Sequence, residues 1–107
     1  TIFTSPVCLA IAFYFAEKKY KTASAKKRIE ILCDHIDIAP ANKSTVMQSL
    51  QNAAVNDFED GLEYYSAVDN NCDCIITEDI EDFYFSKIEV LNSEVFFEKY
   101  MAGGNAR

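Results

Sequence analysis

The chain has 107 residues, half of them hydrophobic and a quarter charged, an ordinary globular composition that argues against disorder. Three Gly and two Pro rule out collagen-like or Pro-rich architecture, and the longest apolar run, Val7 to Ala16, has ten residues against the roughly 20 of a membrane span. Ten Lys and Arg against 17 Asp and Glu give a net charge of −7, which taken whole disfavours non-specific nucleic-acid binding.

No basic segment precedes the apolar run, so it makes a poor signal peptide. A cytoplasmic protein without a membrane segment is expected, with one domain over 1–101 and a flexible tail over 102–107, where Gly103-Gly104-Asn105 should fray.

Ile2-Phe3-Thr4 reads as the end of a strand. Ser5 then caps a helix with Pro6 at its first position. This helix should run to about Lys19 and, being apolar on most faces, should be buried. Thr22 or Ser24 caps a second helix to about His35, with Ile29, Leu32, Cys33 and Ile36 at helical spacing. Asp37 to Pro40 is a short strand candidate. Ser44 caps a third helix, Thr45 to about Ala54, with Val46, Met47 and Leu50 inward. Asp57-Phe58-Glu59-Asp60 opens a fourth, in which Phe58, Leu62 and Tyr65 line one face. Cys74-Ile75-Ile76-Thr77 is a nearly continuous apolar strand of the kind found inside parallel sheets. Lys87 to Leu91 is another, and Ser93 caps a last helix to about Met101. Helices alternating with short buried strands predict a layered α/β fold.

Charge divides along the chain. Lys18, Lys19, Lys21, Lys26, Lys27 and Arg28 place six of the ten basic residues within eleven positions. From Asp57 to Asp82 there are ten acidic residues and no Lys or Arg. Such a run must stay solvated as a helix face or hold a cation. Asp57 and Asp60 are three apart on one helix, hence on one flank. Asp79 follows the apolar Cys74–Thr77 run, at the carboxyl end of a predicted parallel strand, which is where ligands bind in open α/β sheets. Asp60 and Asp79 together could share a hard divalent cation such as Mg²⁺ or Mn²⁺, which prefers carboxylate oxygens. Cys8 and Cys33 fit small core positions. Cys33 and His35 with Cys72 and Cys74 lack the usual zinc-ligand spacing, and His35 reads as a surface residue near a helix end.

Three blocks carry a family likeness. They are Asp57-Phe58-Glu59-Asp60-Gly61-Leu62-Glu63-Tyr64, Cys74-Ile75-Ile76-Thr77-Glu78-Asp79-Ile80-Glu81-Asp82-Phe83, and Ile88-Glu89-Val90-Leu91-Asn92-Ser93-Glu94-Val95-Phe96-Phe97. In this order they resemble the C-terminal half of PIN domains, with the pattern D-F-E-D-A-L, a strand ending in T-x-(D/N)-x-x-D-F, and I-x-V-L-(T/S)-P-E-E-F. Ser5-Pro6-Val7-Cys8-Leu9-Ala10 is similar to the family's strand-to-helix junction.

The resemblance implies a Rossmann-like, three-layer α/β/α nuclease fold with a short, mostly parallel sheet. It also implies Mg²⁺- or Mn²⁺-dependent cleavage of RNA, single-stranded by expectation. Many such proteins are toxin halves of toxin–antitoxin pairs and dimerise. Carried over by position, Asp60 and Asp79 are the expected catalytic metal ligands, supported by Asp57 and Asp82. Thr77 is the hydroxyl residue that closes the strand, and the Lys18–Arg28 stretch is expected on RNA phosphates.

The family's first metal-binding Asp would end a strand upstream of Thr1, which sets the expectation that roughly 25–40 residues precede this sequence. Ile11 stands at about the position where many members carry Glu. The chain thus carries half of a four-carboxylate site, and a sheet without its first strand has an open edge that predicts a homo-oligomer or a poorly stable monomer. The alternative is a non-catalytic module that binds nucleic acid or protein.

Overall fold

A computed structural model of the chain describes residues 1–101; the frayed tail expected at 102–107 lies outside the described residues. The architecture is mixed α/β with short parallel strands, as the sequence predicted. The chain divides into two compact units, Thr1–Lys43 and Ser44–Arg107.

In the first unit, β1 (Phe3–Thr4) pairs in parallel with β2 (Asp37–Ile38), Phe3 opposite Asp37 and Thr4 opposite Ile38. Ile2 and Thr4 carbonyls accept the Asp37 and Ala39 N–H groups at 2.9 and 2.7 Å. α1 (Pro6–Lys19) starts as predicted, with the Ser5 hydroxyl accepting the Cys8 N–H at 3.0 Å. It packs against α2 (Thr22–Cys33). The N-cap of α2 is Lys21, which makes no side-chain cap bond, so Thr22 and Ser24 fall inside the helix rather than before it.

The expected burial of α1 is not found. None of its residues is buried, and Phe15 is 62 % exposed. A unit of two helices and a two-stranded sheet has too little structure to cover both flanks of an apolar helix. Cys8 and Cys33 are accordingly half-buried rather than core.

The second unit carries α3 (Lys43–Gln51, entered from the last residue of the first unit), α4 (Phe58–Asp69), β3 (Cys74–Ile76), a 3₁₀ turn (Ile80–Phe83), β4 (Glu89–Leu91) and α5 (Ser93–Phe96). A π-turn, Phe97–Met101, follows α5. β3 and β4 are parallel and in register, Cys74 opposite Glu89 and Ile76 opposite Leu91. Asn92, rather than Ser93, caps α5, its side chain accepting the Val95 N–H at 2.7 Å.

The inward face of α3 differs from the expected one. Thr45 and Ser49, one turn apart, are 1 % and 3 % exposed, whereas Leu50 is 62 % exposed and Met47 also faces outward. The reason is the neighbouring helix. A Cβ on Gly61 of α4 would lie 2.8 Å from Val55 Cγ1 and 3.0 Å from Ser49 Cβ, so α4 approaches too closely for larger side chains. Small residues on both sides permit that approach, and the Ser49 hydroxyl is satisfied by the Thr45 carbonyl at 2.8 Å.

On α4 the buried residues are Gly61, Leu62, Tyr64 and Ser66, while Phe58 is outward and Tyr65 half-buried. Tyr64 meets Phe85 edge to face at 5.1 Å and its hydroxyl accepts the Lys87 N–H at 3.2 Å; Phe83 and Leu91 complete this core. Asn71 sits at φ 57°, where Asn is tolerated, and the Asn71 and Cys72 N–H groups return to the Val68 and Ala67 carbonyls. That Schellman closure ends α4 and aims the chain into β3.

Gly61→Ala should therefore destabilise the chain by about 1–2 kcal/mol, overpacking outweighing the ~1 kcal/mol gained in helix propensity. Urea denaturation measures it, and an unchanged or higher midpoint would contradict the steric argument.

Candidate functional site

The predicted carboxylates collect where α4 begins and β3 ends. Asp57 is the N-cap of α4, its side chain accepting the Glu59 N–H at 2.9 Å, a placement that also suits the positive end of the helix dipole. Asp60 follows within the first turn. It is half-buried because the next residue is Gly61, the point at which α4 is pressed against the Ser49 side of α3.

The opposite wall grows from β3. The Thr77 N–H bonds the Leu91 carbonyl at 2.9 Å, extending the sheet by one bond, and the Thr77 hydroxyl accepts the Asp79 N–H at 3.0 Å. The hydroxyl thus turns the chain out of the strand and holds the backbone of Asp79, whose carboxylate stays exposed. Asp79 in turn accepts the Asp82 N–H at 3.0 Å through its carbonyl, starting the 3₁₀ turn that carries Glu81 and Asp82 towards α4.

Asn56, Asp57, Asp60, Glu81, Asp82 and Tyr84 line one open depression of about 230 Å³. Glu78, Asp79, Ile80, Glu81 and Asp82 line a second, adjoining one. The structure therefore brings Asp57, Asp60 and Asp82 together and leaves Asp79 next door, linked to them through Glu81 and Asp82. No Lys or Arg among the described residues lines either depression. Among the described residues, no three His, Cys, Asp or Glu side chains converge closely enough to hold a metal ion.

Burial, followed by the like charges of Asp57, Asp82, Glu59 and Asp79, pushes Asp60 up from an ordinary 3.8 to about 6. Glu78 behaves in the opposite way. Hydrogen bonding from Ser93, whose N–H lies 3.1 Å from Glu78 Oε2, holds it below the usual carboxylate range. Glu78 is thus engaged with the start of α5, a tie that nothing in its sequence neighbourhood announces.

Asn56 is a site residue without a sequence signal of its own, and Tyr84 stands out in the sequence only as part of the aromatic run Phe83-Tyr84-Phe85. The Tyr84 hydroxyl donates to the Ala54 carbonyl and accepts Asn56 Nδ2 at 3.2 Å, clasping the loop before α4 to the segment after the 3₁₀ turn. Glu81 was visible only as one member of an acidic run.

The basic stretch belongs to the first unit. Lys18, Lys19, Lys21, Lys26, Lys27 and Arg28 are all exposed on α1, α2 and the link between them. Arg28 stacks over the Tyr20 ring at 3.7 Å and Lys18 lies 4.4 Å from the centre of the Tyr14 ring. Lys27 pairs with Glu30 at 3.3 Å in full solvent, an interaction worth little. Of the zinc-type residues, Cys72 and Cys74 are half-buried thiols that burial pushes up, and His35 is exposed, with Nδ1 2.9 Å from the Ile31 carbonyl oxygen.

Between about pH 4 and pH 6 the folded chain binds more protons at Asp60 than the unfolded chain does, so this carboxyl's contribution to stability falls as pH rises through that window. Asp60→Asn should accordingly raise stability at pH 7.5 by on the order of 1 kcal/mol after allowance for solvent screening, and by nothing below about pH 4. Thermal melts of both proteins across this range check it; an increment independent of pH would contradict the electrostatic cause.

The family model described as PIN domain matches residues 1–81, a span that takes in Asp57, Asp60, Thr77, Asp79 and the whole basic stretch, with Asp82 one residue beyond. No curated protein and no solved structure matches the chain. PIN domains are generally nucleases and typically use divalent metals. With three-quarters of its length matched, the chain belongs to the PIN domain family.

Proposed function

We propose that the chain is a Mg²⁺- or Mn²⁺-dependent endoribonuclease domain acting on single-stranded RNA, as the toxin of a toxin–antitoxin pair, in the cytoplasm and as a homo-oligomer. The observation that carries this reading is the convergence of Asp57, Asp60 and Asp82 on one depression, with Asp79 beside it, in a PIN domain. The donor set suits a hard cation. It is all carboxylate oxygen, it has no basic residue within it, and its like charges already disfavour full ionisation of Asp60.

Asp57, Asp60 and Asp82 line the depression where such an ion would be drawn in, and binding it would require them to close in further, with Asp79 in the adjoining depression. A hard divalent ion there supplies a nucleophilic water and neutralises charge on the scissile phosphate. The chain's own residues arrange the rest. Thr77 fixes the backbone of Asp79, Gly61 allows Asp60 to be half-buried, and Tyr84 with Asn56 ties the two walls together. Six exposed cations on the first unit suit the backbone of a nucleic acid better than they suit protein packing, since among the described residues only Lys27 of the six has a carboxylate partner. The toxin role and the homo-oligomer rest on the family resemblance.

One observation favours a second reading, a non-catalytic binding module. No three carboxylates among the described residues converge on a single point, and Ile11 stands where many PIN domains carry Glu.

Calorimetric titration with Mn²⁺ separates the two. The metal-dependent nuclease predicts saturable binding to the parent chain, weakened about tenfold or more by Asp60→Asn and by Asp79→Asn. A parent that binds no Mn²⁺ selects the non-catalytic module, and unchanged affinity in both variants removes these carboxylates from the site. RNA affinity should fall steeply with added salt, and replacing Lys26, Lys27 and Arg28 with Gln should flatten that slope by roughly 0.7 for each phosphate no longer neutralised.

A further inference from the structure

We propose that Tyr84 is a stacking platform for one unpaired base of the RNA strand at the rim of the acidic depression. The proposal rests on the nuclease reading and extends it from the phosphate to the base.

Tyr84 is the most exposed of the six tyrosines, at 60 %, yet its hydroxyl is bonded to both the Ala54 carbonyl and Asn56 Nδ2. The area open to solvent is therefore ring surface. Two hydroxyl bonds to the loop before α4 also remove most of the ring's freedom to swing. Phe85 meets it nearly at right angles, 87° at 5.8 Å, a contact that covers at most one of its two faces. The ring lines the same depression as Asp57, Asp60 and Asp82.

An exposed aromatic held still in this way is pre-organised for a flat ligand, because its ordering entropy is already spent before the ligand arrives. Every nucleobase offers a π-face, and stacking on an aromatic side chain tolerates any sequence. Stacking also solves an electrostatic difficulty. The surrounding carboxylates repel a phosphate backbone, whereas an uncharged base can be gripped without regard to that field. Tyr64 and Tyr65 cannot serve in this way. Tyr64 is buried against Phe85 and Tyr65 is half-buried with its hydroxyl on Asn52 Nδ2 at 2.9 Å.

The test is fluorescence anisotropy of a labelled single-stranded RNA of about a dozen nucleotides, in Ca²⁺ to slow cleavage, with the parent chain, Tyr84→Phe and Tyr84→Leu. Tyr84→Phe keeps the ring and removes the clasp; Tyr84→Leu removes both. The expected result is a loss of roughly tenfold for Tyr84→Leu and a clearly smaller loss for Tyr84→Phe; both variants lack the clasp, so the difference between them reads the ring alone. An abasic nucleotide scanned along the RNA should weaken the parent by a similar factor at one position and should not weaken Tyr84→Leu further at that position. A Tyr84→Leu variant that binds RNA like the parent, or an abasic scan that is the same for both proteins, overturns the proposal alone. Equal losses of RNA affinity in Tyr84→Phe and Tyr84→Leu make Tyr84 a clasp and also overturn it. A parent chain that binds no RNA overturns the nuclease reading and this proposal together.

Discussion

The close approach of α4 to Ser49 and Val55 at Gly61 is the contact on which the second unit is built. It inverts the ordinary rule for a surface helix, because α3 turns its small hydroxyl residues inward and leaves Met47 and Leu50 in solvent. It also sets the depth of α4. Asp60, the residue before Gly61, is drawn partly out of water, while Asp57 at the helix start stays in it. A larger residue at 61 would push α4 outward and return Asp60 to solvent.

Around that half-buried carboxyl the chain places four further acids without a single counter-charge lining the depressions. Such crowding is unfavourable for the fold by itself. Within the depressions it is relieved by the Ser93 N–H on Glu78 and the Glu59 N–H on Asp57. Glu89, outside the depressions, is paired with Lys99 at 2.5 Å and accepts from the Tyr100 hydroxyl at 3.1 Å. Asp79 stands slightly apart, its backbone held by Thr77 and its side chain exposed.

Much of this was legible in the residue order. Ser5-Pro6 marked the start of α1, Asp57-Phe58-Glu59-Asp60 the start of α4, and the Cys74–Thr77 run a parallel strand, because helix starts and short apolar runs are local signals. The acidic run with Asp57, Asp60, Asp79 and Asp82 pointed to the strand end, and the PIN resemblance named them. What stayed hidden is non-local. Asn56 and Tyr84 are 28 positions apart and meet only because the 3₁₀ turn folds back on the loop before α4. The exposure of α1 was hidden too, since periodicity reports which faces are apolar and not whether anything is available to cover them.

By itself, then, the sequence determined the α/β alternation, most element boundaries within a few residues, the family, and an acidic run from Asp57 to Asp82 that holds no Lys or Arg. These follow from backbone sterics, capping and charge, which act over a handful of neighbours. Only the tertiary structure decided which carboxylates share a depression, that Asp79 sits beside rather than within it, and that Asp60 alone of the four predicted aspartates is half-buried. Those outcomes depend on how closely two helices approach and on where a turn returns the chain. Both are set by the fit of distant side chains, here Ser49 and Val55 against a residue with no side chain at all.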